Sequence, residues 1–438
     1  MSKKKRIHSD VVRDSINTFG TNAIGAVLML IASFVVLRKV KPEIRGYYTV
    51  VQQWGSGFYT VFSLSIAASF IYFVARYKIK NTKSSILRLS AITFFFILLI
   101  GSVILLVLRN SSFFCTTPVD FLVATVVYAL CSLVLSVCTC ILRGENKFKS
   151  FNIVNLAQRI LLVVLYFVIA VRPSAGLWIW GTNAIMVLMT GFAVYCIYRW
   201  SGPRPQPVPE DDHPVGMKSM TAYSLKAHVS NVLTYSNTYL GTYIVQGQFG
   251  IKNLGVYNTA FTIMQQVWIL PDAVSQVIMS RIAAMSEKKD KLHLTLISAK
   301  VVFYITALTT ILIYVFAKLL LPWLFPMYTG ALEPLAYLLV GAILISYAKV
   351  LGNSIAAYGR PELNIVPTVT GIAANAVACI LLIPSMHING VALATSISLA
   401  VQSITCIAIF CHFSHTPFYR LIVPTKEEIN SMKGIFKK

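Results

Sequence analysis

The chain of 438 residues combines a formal net charge of +23 with a mean hydropathy of +0.71 and 56% hydrophobic residues. These values exclude an ordinary soluble domain. A high charge and a high hydropathy are compatible if long apolar helices cross a membrane and basic residues line one side of it. The positive charge lies at the ends of apolar segments, where anionic lipid headgroups are found. We therefore expect membrane lipids, and no nucleic acid, as partners of this charge.

Twelve apolar runs are long enough to cross a bilayer, which takes about 20 residues of helix. Backbone polar groups cannot stay unpaired in lipid, so each run should be a helix. The predicted spans are 14–37, 46–75, 85–108, 119–142, 151–171, 176–198, 222–246, 254–284, 293–317, 333–357, 363–384 and 388–412.

The distribution of Lys and Arg predicts the orientation of these spans. Most of the basic residues fall in the two tails and in the even-numbered loops, which share one side of the membrane. The positive-inside rule then places both termini in the cytoplasm. One loop is an exception to this rule, because 38–45 would carry Arg38, Lys39, Lys41 and Arg45 on the outer side. The first apolar run is too long for a signal peptide and has no small-residue cleavage site.

The sequence divides into two related halves. Five prolines mark 200–218 as an extended cytoplasmic linker between six spans and six spans. Short echoes at nearly equal offsets indicate a parallel duplication, with a pseudo-twofold axis along the membrane normal. The echoes are Gly46-Tyr47-Tyr48 with Gly255-Val256-Tyr257, and Arg143-Gly144 with Gly359-Arg360. The predicted domains are 1–199 (six-helix bundle), 200–218 (linker), 219–412 (six-helix bundle) and 413–438 (basic cytoplasmic tail).

Metal-ligand spacings such as CxxC and HExxH, and Gly-rich phosphate loops, are absent from the sequence. Seven of the eight cysteines lie within or at the ends of predicted spans, which argues against a disulfide framework. We therefore expect no enzymatic activity, no cofactor and no ATP-driven transport by this chain. A proton or sodium ion remains possible as a coupling ion, and the sequence does not choose between them.

Polar residues recur along one face of several predicted spans. On the seventh span, Lys226, Ser230, Thr234 and Asn237 follow one another at spacings of four, four and three. Such residues serve either as hydrogen-bonding contacts between helices or as the lining of a wet cavity. Because six spans carry such stripes, we favour a shared cavity.

Charged residues inside the spans define the character of this cavity. Arg159, Lys226, Lys300 and Lys349 lie within predicted spans, where a charge usually marks a site or path, although the lysines could also extend to the headgroups. Asp272 is the one deep carboxylate, and it either pairs with a cation or takes part in ion coupling. This balance predicts a cationic cavity for an anionic substrate. The predicted cavity residues are Arg13, Asn17, Gln52, Asn155, Arg159, Lys226, Ser230, Asn231, Thr234, Asn237, Gln265, Asp272, Lys300, Lys349 and Asn375.

Three segments carry a family resemblance over nearly the whole chain. LIPSMHINGVALATSIS from Leu382, GVYNTAFTIMQQVWILPDAVSQVIMSRIA from Gly255 and KPEIRGYYTVVQQ from Lys41 resemble segments of polysaccharide exporters. The chain thus resembles Wzx-type oligosaccharide flippases of the multidrug/oligosaccharidyl-lipid/polysaccharide (MOP) superfamily, which also holds the MATE exporters. Two positions depart from the pattern. Lys41 precedes Pro42-Glu43, where relatives usually have Gly. Asn237 stands where many relatives carry an acid, and this second change puts ion coupling in doubt.

The resemblance implies a MATE-like, all-α fold of two six-helix bundles in the bacterial cytoplasmic membrane. It also implies alternating access, by which an undecaprenyl-pyrophosphate-linked oligosaccharide passes to the outer leaflet for surface polysaccharide synthesis. A glycan polymerase and glycosyltransferases of the same pathway would be its partners in the cell envelope.

Two other hypotheses stay open. A MATE-type antiporter of small organic cations would need buried acids, and Asp272 alone fits. A membrane-embedded glycosyltransferase or polymerase would need catalytic residues in sizeable outer loops, and the predicted outer loops are short.

Overall fold

The structure, a computed structural model, describes residues 20–21, 24–76, 79–145, 147–199, 216–269, 271–272, 274–275, 282, 287–358 and 360–422. These residues form helices and turns, and none of them lies in a β-strand. The prediction of an all-α chain is therefore confirmed for the part of the molecule that the structure describes.

The helices up to residue 199 follow one another with short connections. A π-helical turn, Ile97–Gly101, joins α4 to α5 without a break in the chain of helical hydrogen bonds. The helices are α1 (24–39), α2 (Pro42–Phe62), α3 (Ile66–Arg76), α4 (Ile79–Phe96), α5 (Ser102–Leu108), α6 (Val119–Gly144), α7 (Phe148–Val171) and α8 (Ala175–Arg199).

Two of the later helices are very long and are broken by a single residue. Gly250 (φ 78°) interrupts α9, and His387 (φ 52°) interrupts α12, so that each consists of two helical arms. The later helices are α9 (Met217–Val267), α10 (Lys288–Leu324), α11 (Leu332–Ala357), α12 (Ile365–Ser414) and α13 (Tyr419–Ile422), with 3₁₀ turns at Pro326–Ala331 and Pro361–Asn364.

Seven helical stretches in the described part of the chain are long and apolar enough to cross a membrane. They are Thr82–Leu108, Val119–Gly144, Phe148–Val171, Ala175–Arg199, Lys289–Leu324, Pro326–Ala357 and Glu362–Ser414. The last has 53 residues, which is more than twice the length of one crossing, and His387 divides it into two arms of span length. The prediction of an all-α membrane protein is confirmed, while the total of twelve spans and the pseudo-twofold axis stay predictions.

The predicted boundaries of the second span differ from the structure at both ends. The predicted outer loop 38–45 is mostly helical, because Pro42 fits the first position of α2 and starts the helix there. The predicted continuous span 46–75 is broken between α2 and α3, where Leu64 and Ser65 both have a φ of 50°. Side chains with a Cβ rarely adopt this conformation, so the break is a defined feature of the fold.

The chain forms two compact units. The first consists of Met1–Val232 with Gly250–Gly255, and the second consists of Leu233–Phe249 with Val256–Lys438. In the first unit, a core of aromatic and aliphatic residues surrounds the buried Trp178. In the second, Leu296, Tyr347 and Leu351 belong to a core that also includes Phe410. The predicted four-part division of the chain stays a prediction, since most of the linker 200–218 lies outside the described residues.

The two occurrences of the Gly-x-Tyr motif both place their glycine at a close backbone contact and bury their tyrosine. A Cβ on Gly46 would collide with the carbonyl oxygen of Ile251, and a Cβ on Gly255 would collide with that of Pro42. Only glycine allows this approach of α2 to the start of the second arm of α9. Two residues further on, Tyr48 and Tyr257 are both buried, and each hydroxyl lies within hydrogen-bonding distance of another hydroxyl of its own unit.

Candidate polar site

Gln52 is bound to an aromatic cluster of the first unit through one hydrogen bond. The side-chain amide of Gln52 donates to the hydroxyl of Tyr48 at 2.6 Å, and this hydroxyl lies 3.3 Å from that of Tyr166. The Tyr48 ring stacks on Trp178 with a centroid distance of 4.1 Å. Gln52 is thus held by an aromatic cluster, with its side chain still partly exposed.

Arg159 lies on α7 and packs against Gly25 of α1. A Cβ at Gly25 would collide with Cδ of Arg159 and lie 2.6 Å from a guanidinium nitrogen. The missing side chain at residue 25 therefore makes the room that the arginine occupies. Asn155, one turn earlier on α7, donates to the carbonyl of Phe151 at 3.0 Å, so this amide hydrogen bond stays within its own helix.

The break between α2 and α3 is contacted by the first arm of α9. The side-chain amide of Asn231 donates to the hydroxyl of Ser65 at 3.0 Å, and Nδ1 of His228 lies 3.3 Å from the same hydroxyl oxygen. Both contacts lie within the first unit. They bring the start of the predicted seventh span, at His228 and Asn231, to the point where the second predicted span is interrupted.

Asn237 is at the centre of a closed polar cluster in the second unit. Its amide nitrogen donates to Oε1 of Gln402 at 2.8 Å, and its amide oxygen lies 2.9 Å from the hydroxyl of Ser398. The Ser398 hydroxyl also lies 2.7 Å from the carbonyl oxygen of Gly371, so its single proton serves one acceptor at a time. Asn237 is 4% exposed, and both ends of its amide are engaged by protein atoms.

Asn375 is fully buried on the first arm of α12. Its amide oxygen lies 3.2 Å from the thiol of Cys379, one turn later. Its amide nitrogen has no hydrogen-bond partner among the residues that the structure describes. Asn375 is therefore less completely satisfied than Asn237.

Asp272 and Lys349 form an ion pair in the second unit. Nζ of Lys349 lies 2.6 Å from Oδ1 of Asp272 and 4.7 Å from the centre of the Trp268 ring. The two charged side chains are 21% and 47% exposed for Lys349 and Asp272, respectively. One turn further along both segments, the amide of Asn353 donates to the hydroxyl of Ser275 at 2.9 Å.

The remaining predicted residues differ in exposure. Lys300 on α10 is fully buried, so a contact with substrate would need another conformation of the second unit. Gln265 and Ser230 are partly buried, and Thr234 is exposed. Arg13 and Asn17 lie outside the described residues, as does the side chain of Lys226, and their roles stay predictions.

Sequence reasoning missed several residues that the structure places beside predicted ones. The sequence predicts Arg45 in an outer loop, but Arg45 lies in α2 and is 7% exposed. Pro42 was the signal for this helix start. Gln402 and Ser398 complete the Asn237 cluster, and Trp268 covers Lys349. These three could not be found from spacing, because their partners are distant in sequence.

Metal binding has no support in the geometry of the described residues, where no group of three His, Cys, Asp or Glu side chains could hold an ion. The arrangement offers amides, hydroxyls, aromatic faces and a few charged groups instead. Such groups bind and orient a solute by hydrogen bonds and charge.

The long apolar helices and the polar clusters of the two units define an all-α membrane protein. A family model described as polysaccharide biosynthesis protein matches residues 11–271. The chain belongs to this family. The resemblance seen in the sequence is thereby confirmed, and no curated protein gives a significant match.

Solved structures of the MOP superfamily share the fold. A multidrug resistance MATE family transporter in an inward-facing conformation aligns with a TM-score of 0.66 at 15% identity, over 90% of this chain and 94% of that one. The lipid II flippase MurJ in an inward closed conformation aligns with a TM-score of 0.63 at 15% identity, over 97% and 92%. A MOP superfamily transporter from Pyrococcus furiosus gives a TM-score of 0.59 at 14% identity, over 94% and 96%. At these identities the likeness concerns the fold.

Proposed function

We propose that the protein moves a lipid-linked oligosaccharide, carried on undecaprenyl pyrophosphate, from the cytoplasmic to the outer leaflet of a bacterial cytoplasmic membrane. Both termini would face the cytoplasm, in agreement with the placement of Lys and Arg. The polysaccharide biosynthesis family and the fold shared with the lipid II flippase support a carrier of lipid-linked glycans.

The observation that carries this proposal is the placement of basic side chains inside the two units. Arg159 lies against the backbone of α1 in the first unit, and Lys300 is fully buried in the second. A charge inside a span is costly and usually marks a functional site. A guanidinium suits a pyrophosphate because its planar donors match the phosphate oxygens.

The neutral groups of the units suit the glycan part of the substrate. Partly exposed amides and hydroxyls can exchange hydrogen bonds with sugar hydroxyls. Gln52 lies beside an aromatic cluster in the first unit, while Ser230, Asn231 and Thr234 provide hydroxyl and amide groups on α9. In this account the transport step needs no covalent chemistry, and polymerase and glycosyltransferases of the same pathway act before and after it.

Substitution of Arg159 tests the proposal in the native host. We expect cells with Arg159→Ala to make less surface polysaccharide and to accumulate the undecaprenyl-linked repeat unit. Arg159→Lys should export an intermediate amount, because the point charge of lysine replaces the planar guanidinium. Lys318→Ala is the control, since Lys318 is an exposed basic residue on α10. Normal export by an Arg159→Ala protein that is present at the normal membrane level would contradict the role of this residue.

A further inference from the structure

The ion pair of the second unit contains the elements of a binding site for an organic cation. A carboxylate beside the face of an indole ring attracts a cation by charge and by the ring quadrupole. Asp272 and Trp268 provide these two groups, and the ammonium of Lys349 occupies the position between them, 2.6 Å from the carboxylate oxygen and 4.7 Å from the ring centre.

The two binding groups belong to one turn of the chain and do not depend on Lys349 for their proximity. The backbone N–H of Asp272 donates to the carbonyl of Trp268 at 2.9 Å, which sets the two side chains one helical turn apart. Lys349 reaches them from α11. The hydrogen bond from Asn353 to Ser275 joins the same two segments independently of the ion pair.

Both charged side chains of the pair are partly exposed. The carboxylate side chain of Asp272 is 47% exposed, and that of Lys349 is 21% exposed. A soluble cation could thus approach the carboxylate if the lysine were not there. A tethered ammonium competes at a high effective concentration, commonly in the millimolar range, and so displaces a dilute competitor.

We propose that Lys349 is a built-in ligand that blocks a site for organic cations formed by Asp272 and Trp268. The pair then acts as a specificity device, because it removes the affinity for cationic solutes that a free carboxylate and a ring face would confer. This inference concerns cations alone and does not depend on the identity of the transported glycolipid.

The test is a binding measurement on the purified full-length protein, with tetrapropylammonium as the probe and isothermal titration calorimetry as the readout. Lys349→Met removes the charge and keeps a long apolar side chain. We expect this variant to bind the probe at least tenfold more tightly than the unmodified protein, and we expect Asp272→Asn/Lys349→Met to lose the gain. The assay contains no glycolipid, so its outcome is separate from that of the export experiment.

Lys291→Met is the matched control, because Lys291 also lies over an aromatic ring of the second unit, 5.7 Å from the centre of Tyr358. It should bind the probe no better than the unmodified protein. If Lys349→Met does not stay monodisperse, Lys349→Gln takes its place with the same expected order. Equal binding by the unmodified protein and the neutral variant, or binding that survives the loss of Asp272, would overturn the proposal.

Discussion

The second unit contains two polar clusters that differ in how far their side chains are exposed. Around Asn237, both ends of the amide are bound by protein groups and the side chain is 4% exposed. Around Asp272, the side chain is 47% exposed and pairs with Lys349, which is 21% exposed. A closed neutral cluster of this kind holds helices together, whereas an open charged pair can exchange its partner for a solute.

Polar residues that share the same sequence pattern therefore have different roles: some stabilise the fold and others recognise a solute. The closed cluster around Asn237 should govern folding. The Asp272–Lys349 pair should govern selectivity, and Arg159 of the first unit should govern transport.

Asn237→Leu should have the largest effect on stability. It removes the hydrogen bonds to Gln402 and Ser398. Oε1 of the part-buried Gln402 loses this donor, while the Ser398 hydroxyl keeps the Gly371 carbonyl as its acceptor. We expect a loss of about 1–3 kcal/mol, the usual cost of one unsatisfied buried group. Thermal unfolding of the detergent-purified protein measures the change. Asn110→Leu, at an exposed position, is the control, and an equal shift for both variants would refute the assignment.

Gly25→Ala should come next, and it should act on transport. The added Cβ displaces the flexible end of Arg159, so we expect export to fall about fivefold to tenfold, equivalent to about 1–1.4 kcal/mol, with little loss of stability. Export of the glycan and thermal unfolding are measured on the same variant. Gly191→Ala is the control, because nothing lies within 4 Å of its added Cβ. Unchanged export by Gly25→Ala would show that the position of Arg159 does not matter.

Asn375→Leu should be milder than Asn237→Leu, although Asn375 is the more deeply buried. Its amide nitrogen has no partner among the described residues, so the substitution also removes a group that is already unsatisfied. We expect a change in the free energy of unfolding within about 1 kcal/mol. A loss equal to that of Asn237→Leu would mean that the two amides are equally well bound, and the comparison would fail.

Asp272→Asn should have the smallest effect on stability. Ion pairs that are partly exposed contribute about 0–1 kcal/mol and weaken with salt. The expected result is a shift of at most a few degrees in the unfolding temperature, which decreases as salt is raised from low to high concentration. A large, salt-independent loss would place this pair among the closed, structural contacts.

Much of the fold could be predicted from the sequence, because helix length and apolar composition are local properties. Where the structure describes the long apolar runs, they are mostly helical, and both glycines of the repeated Gly-x-Tyr motif, Gly46 and Gly255, lie at a close backbone contact. The four basic residues of 38–45 predict an outer loop, whereas Pro42 starts α2 there, because its fixed φ suits the first position of a helix. The break at Ser65 was missed because its contacts come from Asn231, far away in the chain.

The polar site was harder to predict, for a physical reason. Periodicity shows which residues share a face of a helix, but it does not show whether water or another helix covers that face. Asn237 and Thr234 lie on one predicted stripe, yet Asn237 is buried in a closed cluster and Thr234 is exposed. For Asp272 the sequence left pairing and ion coupling open. The structure supplies its partner, Lys349, which is 77 residues away.

The measurement that tests the central claim most directly is the leaflet distribution of lipid-linked oligosaccharides in the native host after deletion of the gene. Transport of the glycolipid by this protein predicts that complete undecaprenyl-linked repeat units accumulate on the cytoplasmic side and that surface polysaccharide is lost. Unchanged surface polysaccharide without any accumulated lipid carrier would contradict it.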